Sequence, residues 1–465
     1  GRLHRGAAIA LQTGEPGVPP PRQRVLQVLP INDTTQTHTW TDSYPYSCIS
    51  IFAIHPQYVD LSALPPLADK KARIAYEQLR SELNDLPQID YERVQEAKTG
   101  YLRLLFAQDG ERVMATKAYR QFFQENERWL VPYAQYCSLR DRYGSADFST
   151  WPAHHQWDEH DRKSLSTPGT KAYGEVAFFY YVQYLLFSQM SEAHAYARQK
   201  NVILKGDIPI GVSRYGCDVW MEPRYFNLNG QAGAPPDDFS VNGQNWGLPT
   251  YNWEEMLRDG CQWWVRRFQS MASFFDAYRI DHVLGFFRIW EIPINSVHGL
   301  LGQFQPALAL TREEIEGYGL HWQEELFTTP FITDWVLDRV FHEKAAFVRD
   351  HFLERKTDYY YRMKEAFDTQ RKVEAFFAAL AADDGQCRDF FGKETTVQDA
   401  ENLRDGLYAL ISDVLFVRDH RDPNRFHPRI CVQLDFVYES LYDSDKALFN
   451  RLYDDYFSRR NNQYW

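Results

Sequence analysis

The chain is 465 residues long with 44% hydrophobic and 25% charged residues, enough for about three average domains or one large barrel with insertions. Its formal net charge is −12 and its basic residues are scattered, which argues against a nucleic-acid or anionic-membrane partner. Aromatic residues reach 16%, more than a core needs, and point to a surface that stacks flat ligands, sugars ahead of bases given the charge.

Six cysteines (Cys48, Cys137, Cys217, Cys261, Cys387 and Cys431) lie far apart without a Cys-x-x-Cys pair, the usage of a reduced, cytoplasmic protein. The start, "GRLHRGAAIALQTGEPG", has an apolar run of only five residues, too short for a signal peptide. The most apolar helix, Val176 to Phe187, is 12 residues long and contains a Gln, so no membrane span is expected.

In chain order, residues 14–22 ("GEPGVPPPR") read as an irregular segment, and Gln23 to Pro30 as a β-branched strand closed by Pro. A loop rich in Thr, Asp and aromatics follows. Residues 66–140 have helical period with a break at "DLPQID", and 151–168 turn polar and His-rich. A long helix is predicted from Ala172 to Lys200, then a strand in "NVILKGDIPIGV", Asn201 to Val212. Asn229 to Trp253 reads as a long ordered loop, Trp253 to Ala277 as a single helix of about 25 residues, and "YRIDHVLGFF" (Tyr278 to Phe287) as the third strand. Strand, long loop, helix and strand make the rhythm of an α/β fold of (β/α)-barrel type, whose sites sit on the loops after the strands. Residues 1–295 are assigned to the barrel, with a helical excursion at 66–170, and 296–465 to a mainly helical, charge-rich insertion. "YALISDVLFV" (Tyr408 to Val417) fits a strand or a helix end equally.

Three acids stand at or near strand ends: Asp33, Asp207 and Asp281. Barrel geometry would converge them on one face. The two-residue period of a strand points Arg279 and Asp281 to the same side, and a carboxylate beside a guanidinium favours its charged form. An ionised carboxylate in a sugar-lined cleft is what a retaining glycosidase uses as nucleophile. An Arg–Asp ion pair tying strand to strand explains the same pattern, and the pattern alone leaves both open. The loop "APPDDFSVNGQNWG" adds acids, Gln244 and Trp246 on Pro-fixed turns, suited to stacking and hydrogen-bonding a pyranose, or to covering a barrel. "HHQWDEHD" (His154 to Asp161) has no regular ligand spacing and reads as a solvated loop rather than a metal site. "RDHRDPNRFHPR" (Arg418 to Arg429) reads as a surface turn. With no P-loop, dinucleotide fingerprint or Gly-x-Ser-x-Gly, neither cofactor nor metal is expected.

"GDIPIG", "APPDDFSVNGQNWGLPTYNW" and "YRIDHVLGFFRIWEIP", with "LQVLPINDT" and "HTWTDSYPYSCISIFAIHPQY" nearer the start, resemble the 4-α-glucanotransferases (amylomaltase or disproportionating enzyme, glycoside hydrolase family 77), in particular their long, insertion-containing branch. The resemblance covers about residues 23–465 and implies a (β/α)8 TIM-type barrel that transfers α-1,4-glucan segments with retention. It implies that Asp281 is the nucleophile, that Arg279 and His282 are its sugar-contacting neighbours, and that Tyr46, Asp237, Gln244 and Trp246 fall on the subsites. Phe239 and Ser240 match the loop that covers the cleft. Malto-oligosaccharides or α-glucan are the implied partners, and the oligomeric state stays open.

The chain also departs from the family. No strand ends in Glu-Asp-Leu-Gly or in the family's His-Asp, so the acid/base Glu and a third acid are expected outside it, leaving an incomplete barrel. "QTGEPGVPPPR" stands where a Gly-rich sugar loop belongs. The alternative is therefore a truncated, non-catalytic glucan-binding fragment or pseudoenzyme, and the chain alone is expected to show no disproportionation of maltotriose.

Overall fold

A computed structural model of the chain describes residues 23–392 and 395–465. The irregular segment expected at 14–22 and the family-like start at "RGAAIAL" lie outside the described residues. The chain forms two compact units, one of the described residues up to Asn227 with Tyr251–Val283, the other of Leu228–Thr250 with Leu284–Trp465.

The first unit is built on three parallel strands, β1 (Val25–Gln27), β2 (Ile203–Ile208) and β3 (Ala277–Ile280), with β2 in the middle. Register sets Val25 opposite Ile203 and Asp207 opposite Arg279. Parallel strands need long crossovers. The first of these carries α1 (Lys70–Asp85), α2 (Tyr91–Met114), α3 (Lys117–Tyr143) and α4 (Lys171–Gln199). Each begins where a side-chain oxygen takes a backbone N–H of the first turn: Asp69, Asp90, Thr116 and Thr170. The "DLPQID" break is where Asp90 caps α2, and α3 stops at Gly144, whose φ of 66° is the left-handed conformation of a helix end.

The aromatic excess is explained differently from the sequence expectation. Between α3 and α4, Phe122 and Trp129 meet Phe187 with ring centroids 5.2 and 5.6 Å apart, and Phe123 meets Tyr180 at 5.2 Å. Tyr133, Tyr136, Tyr180 and Tyr181 are fully buried. Many of the rings are therefore core, packed edge to face, rather than a sugar-stacking surface.

Within this core the Tyr133 hydroxyl donates to Asp33 Oδ2 at 2.6 Å, while Asp33 Oδ1 accepts from the Thr35 N–H at 3.0 Å and its hydroxyl at 2.7 Å. Tyr133→Phe strips one oxygen of a buried carboxylate of its donor. It is expected to destabilise the protein by about 2 kcal/mol, read as a lower urea midpoint with an unchanged m-value.

The single helix predicted from Trp253 to Ala277 is two helices, α5 (Trp253–Arg258) and α6 (Gln262–Ala272). Gly260 and Cys261 take φ values of 73° and 57°, and two consecutive left-handed residues reverse the chain and end α5. Gly206 on β2 is fixed by contact: a Cβ there would lie 2.7 Å from the Phe275 ring, which follows α6. "HHQWDEHD" is largely exposed, as a solvated loop is, except at its last residue. Asp161 is buried, its N–H is capped by Asp158 Oδ1 at 2.8 Å, and its carboxylate pairs with His154.

In the second unit, the stretch Asn229–Trp253 proves to be more than a loop. Gly230–Ala234 and Gln244–Asn245 join Ile289–Pro293 and Gln303–Gln305 in a four-stranded antiparallel sheet. Residues beyond 296 are mostly helical, with a hairpin (Leu353–Arg355 and Tyr361–Met363) and a three-stranded sheet of Leu310–Thr311, Arg425–Pro428 and Phe416–Arg418. "YALISDVLFV" is both things at once, a helix to Ser412 and a strand from Phe416. "RDHRDPNRFHPR" is a hairpin whose turn is exposed, as expected, but whose second strand is largely buried. His427 is buried and lies 2.7 Å from Asp419, and Arg429 is buried beside Asp435. Leu337, Val348, Phe352, Leu407, Phe416 and Phe449 form the centre of this unit's core.

Candidate active site

β3 delivers Arg279 and then, one residue past its end, Asp281. Both side chains leave on the same face, and Arg279 Nη2 donates to Asp281 Oδ1 at 2.9 Å. The Asp281 N–H donates to Ile208 O at 3.0 Å, which carries the β2–β3 ladder past Ile280 and fixes where the carboxylate stands. The other guanidinium nitrogen, Nη1, donates to Asp207 Oδ2 at 2.6 Å, and the Tyr46 hydroxyl donates to the same oxygen at 2.9 Å.

The two carboxylates differ in access. The Asp207 side chain is 1% exposed and that of Asp281 28% exposed. Asp207 Oδ1 meets no donor among the described residues. The buried Asp207 thus anchors the guanidinium, the guanidinium holds Asp281 by a charge-assisted bond, and only Asp281 is open to a ligand.

Hydrogen bonding to Asp207, followed by that residue's charge and the Tyr46 hydroxyl, raises the Arg279 pKa above its ordinary value, so it stays a cation. Burial, then the bond to Asp207, pushes the Tyr46 phenol up, so it stays a neutral donor. His282 follows with φ 47°; burial lowers its imidazole pKa, against the pull of the Asp281 charge.

The predicted site residues fall into two groups. Tyr46, Arg279, Asp281 and His282 belong to the first unit, and Asp237, Gln244 and Trp246 to the second. Asp237 closes its own turn, its Oδ1 accepting from the Phe239 and Ser240 N–H groups at 2.9 and 2.8 Å. Trp246 Nε1 donates to Gln244 Oε1 at 3.1 Å, and Phe239 stands 96% exposed on the loop between Asp237 and Gln244. Of the three acids expected to converge, Asp207 and Asp281 do so through Arg279. Among the described residues Asp33 makes no bond to that cluster; Thr35 and Tyr133 take both of its oxygens. The sequence pattern placed Asp207 among the strand-end acids but gave it no role; its bond to Arg279 supplies one.

The open carboxylate therefore lies where parallel α/β folds carry their chemistry, at the C-terminal ends of the strands, and the chain is an α/β protein with a strand-end acid site. The family profile of the 4-alpha-glucanotransferases, glycoside hydrolase family 77, matches residues 20–462, and the chain belongs to that family. It is 38% identical over 441 residues to the 4-alpha-glucanotransferase DPE2 of Oryza sativa subsp. japonica, covering 95% of this chain and 45% of that protein. It is 35% identical over 285 residues to the 4-alpha-glucanotransferase of Chlamydia caviae, covering 61% of this chain and 51% of the relative. The chain spans about half the length of these curated relatives. Among solved structures, the amylomaltase from Streptococcus agalactiae in complex with acarbose is similar in fold, with a TM-score of 0.52, 20% identity, and 94% of this chain and 92% of that one covered. The amylomaltase from Corynebacterium glutamicum also has a TM-score of 0.52 at 20% identity, over 65% of this chain and 40% of its own. Among the described residues no helix is long and apolar enough to cross a membrane.

Proposed function

We propose that this protein transfers α-1,4-glucan segments between malto-oligosaccharide or glucan acceptors with retention, through a covalent glycosyl ester on Asp281. The observation that carries this reading is the pairing of an accessible Asp281 carboxylate with a guanidinium that a buried acid holds in place. In the first step Asp281 attacks the anomeric carbon, the glycosidic C–O bond breaks, and the leaving sugar oxygen takes a proton from the second carboxyl that retention requires. In the second step an acceptor hydroxyl attacks the same carbon, loses its proton to the resulting base, and frees the carboxylate. Asp207 does not serve as that acid/base, since it is buried and engaged by Arg279 and Tyr46.

Arg279, Tyr46 and His282 are proposed as sugar contacts and orienting groups around Asp281, and Asp237, Gln244 and Trp246 as glucan contacts. The parallel β1–β2–β3 sheet is read as part of a (β/α)8-type barrel, supported by its long crossovers and its strand-end acids. Its six cysteines are free thiols, which suits a reducing cytoplasmic setting.

The test is maltotriose incubated with the full-length protein. Glucose is expected to appear together with maltopentaose and longer products. Hydrolysis to glucose and maltose, with no product longer than the substrate, would count against transfer.

A further inference from the structure

The second unit contains a hollow of about 660 Å3 that plays no part in the proposed chemistry and shares no residue with the Asp281 cluster. Three of the aromatic side chains that border it are exposed, and they come from three different elements. Trp335 lies on the helix Asp334–Phe341, Tyr359 on the turn of the hairpin Leu353–Arg355/Tyr361–Met363, and Tyr442 at the N-cap of the helix Asp443–Asp454. They are 37%, 78% and 81% exposed. Single exposed rings are ordinary, but three around one concavity form a patch of the kind that binds something.

The rings are held rather than loose. Trp335 rests on Phe331 and Phe436 at centroid distances of 6.0 and 5.6 Å, and the Arg339 guanidinium lies over it at 5.2 Å. The Tyr359 and Tyr360 N–H groups donate to Thr357 Oγ1 at 3.2 and 3.1 Å, which fixes the hairpin turn.

The polar part of the lining selects the ligand. Asp334, Asp358 and Asp445 border the hollow, and no Lys or Arg does so among the described residues. Asp334 is already engaged by Arg349 and the Tyr361 hydroxyl at 2.8 and 3.0 Å, leaving Asp358 and Asp445 to accept from a ligand. Such a lining repels phosphates and other anions and suits a neutral polyol, whose ring faces stack on aromatics and whose hydroxyls donate to carboxylates. A second hollow of about 340 Å3 shares Gln323, Leu326, Phe331 and Tyr360 with the first, and the Lys356 that borders it is neutralised by Glu325 at 2.6 Å. The concavity thus continues past Tyr360 as a groove, a shape for a chain of sugar rings rather than one compact molecule.

The geometry points to this groove as a second carbohydrate-binding site, one that takes a linear α-1,4-glucan by stacking on Trp335, Tyr359 and Tyr442. The choice of α-1,4 linkage rests on the transferase reading; the choice of a neutral oligosaccharide rests on the groove itself.

Hydrogen exchange with mass-spectrometric readout on the full-length protein tests it, with Asp281→Asn in the background to stop turnover. Maltoheptaose is expected to protect peptides covering 355–363 and 439–446. In the double variant Tyr359→Ala/Tyr442→Ala the concentration needed for that protection rises at least tenfold, while protection around Asp281 is kept. Both tyrosines are largely exposed, so the variant retains its fold. Protection around Asp281 with none at the two groove peptides would overturn the groove and leave the transferase reading standing. Protection of the groove by cellohexaose in place of maltoheptaose would overturn the α-1,4 assignment and count against the transferase reading as well.

Discussion

Asp281→Asn lowers glucan transfer from maltotriose by roughly 10^4-fold or more, the scale of loss when a covalent nucleophile is removed. The substitution is nearly isosteric. The Asn amide oxygen still accepts from Arg279 Nη2, and the backbone bond from residue 281 to Ile208 O is untouched, so the loss belongs to chemistry and not to folding. A positioning role for Asp281 would also reduce activity, and azide rescue separates the two. In Asp281→Gly the space of the carboxylate opens beside the anomeric carbon. With α-maltosyl fluoride as donor, the fluoride leaves without needing a proton, so no acid/base carboxyl enters the test. Azide then forms the N–C1 bond from the face that Asp281 used, the C1–F bond breaks, and β-maltosyl azide accumulates. Absence of that β-azide, or Asp281→Asn retaining more than a tenth of the transfer rate, would remove Asp281 from the role of nucleophile.

What the sequence disclosed about this site follows the range of the interactions involved. Arg279 and Asp281 are two residues apart, and strand periodicity alone puts them side by side. Asp207 and Arg279 meet because β2 and β3 pair in one register, a contact 72 residues apart that local pattern does not carry. Asp33 and Asp207 look alike in sequence, each an acid near the end of an apolar run. What separates them is Tyr133, which donates to Asp33 from 100 residues away and turns that carboxylate into a structural group. The helix break at Gly260–Cys261 had a local sign in its glycine, but the apolar spacing of 253–277 outweighed it. Gly230–Ala234 carries no β-branched residue, and its strand character comes from pairing with Ile289–Pro293. Aromatic content misled for a similar reason. Composition counts rings without saying which of them find another ring across a helix pair.

Asp218 is the case where nothing in the sequence marks an unusual group, and it supports the second large effect. It lies in the short helix Cys217–Met221, fully buried, with Oδ2 accepting from the Ile51 N–H at 2.8 Å. Burial pushes its carboxyl up from 3.8 to about 7; the Ile51 N–H and the charges of Arg267 and Arg266 pull the other way, and Glu222 adds to the rise. The Arg267 guanidinium is itself buried, over Trp263 and Trp264 at 5.4 and 5.0 Å, and its Nη atoms make no hydrogen bond among the described residues. Because the folded-state pKa lies above the unfolded one, the folded protein binds the proton more tightly. The stability this gives is fully present below pH 3.8 and is lost as pH rises through about 7. Three pKa units correspond to about 4 kcal/mol. Asp218→Asn has no proton to lose and keeps an oxygen for the Ile51 N–H. Urea unfolding of both proteins across pH 4 to 8 is therefore expected to show the parent losing about 4 kcal/mol relative to the variant, a difference in which all other titrating groups cancel. A stability difference that stays flat with pH would mean that Asp218 remains ionised throughout, paired with the buried Arg267 across the core.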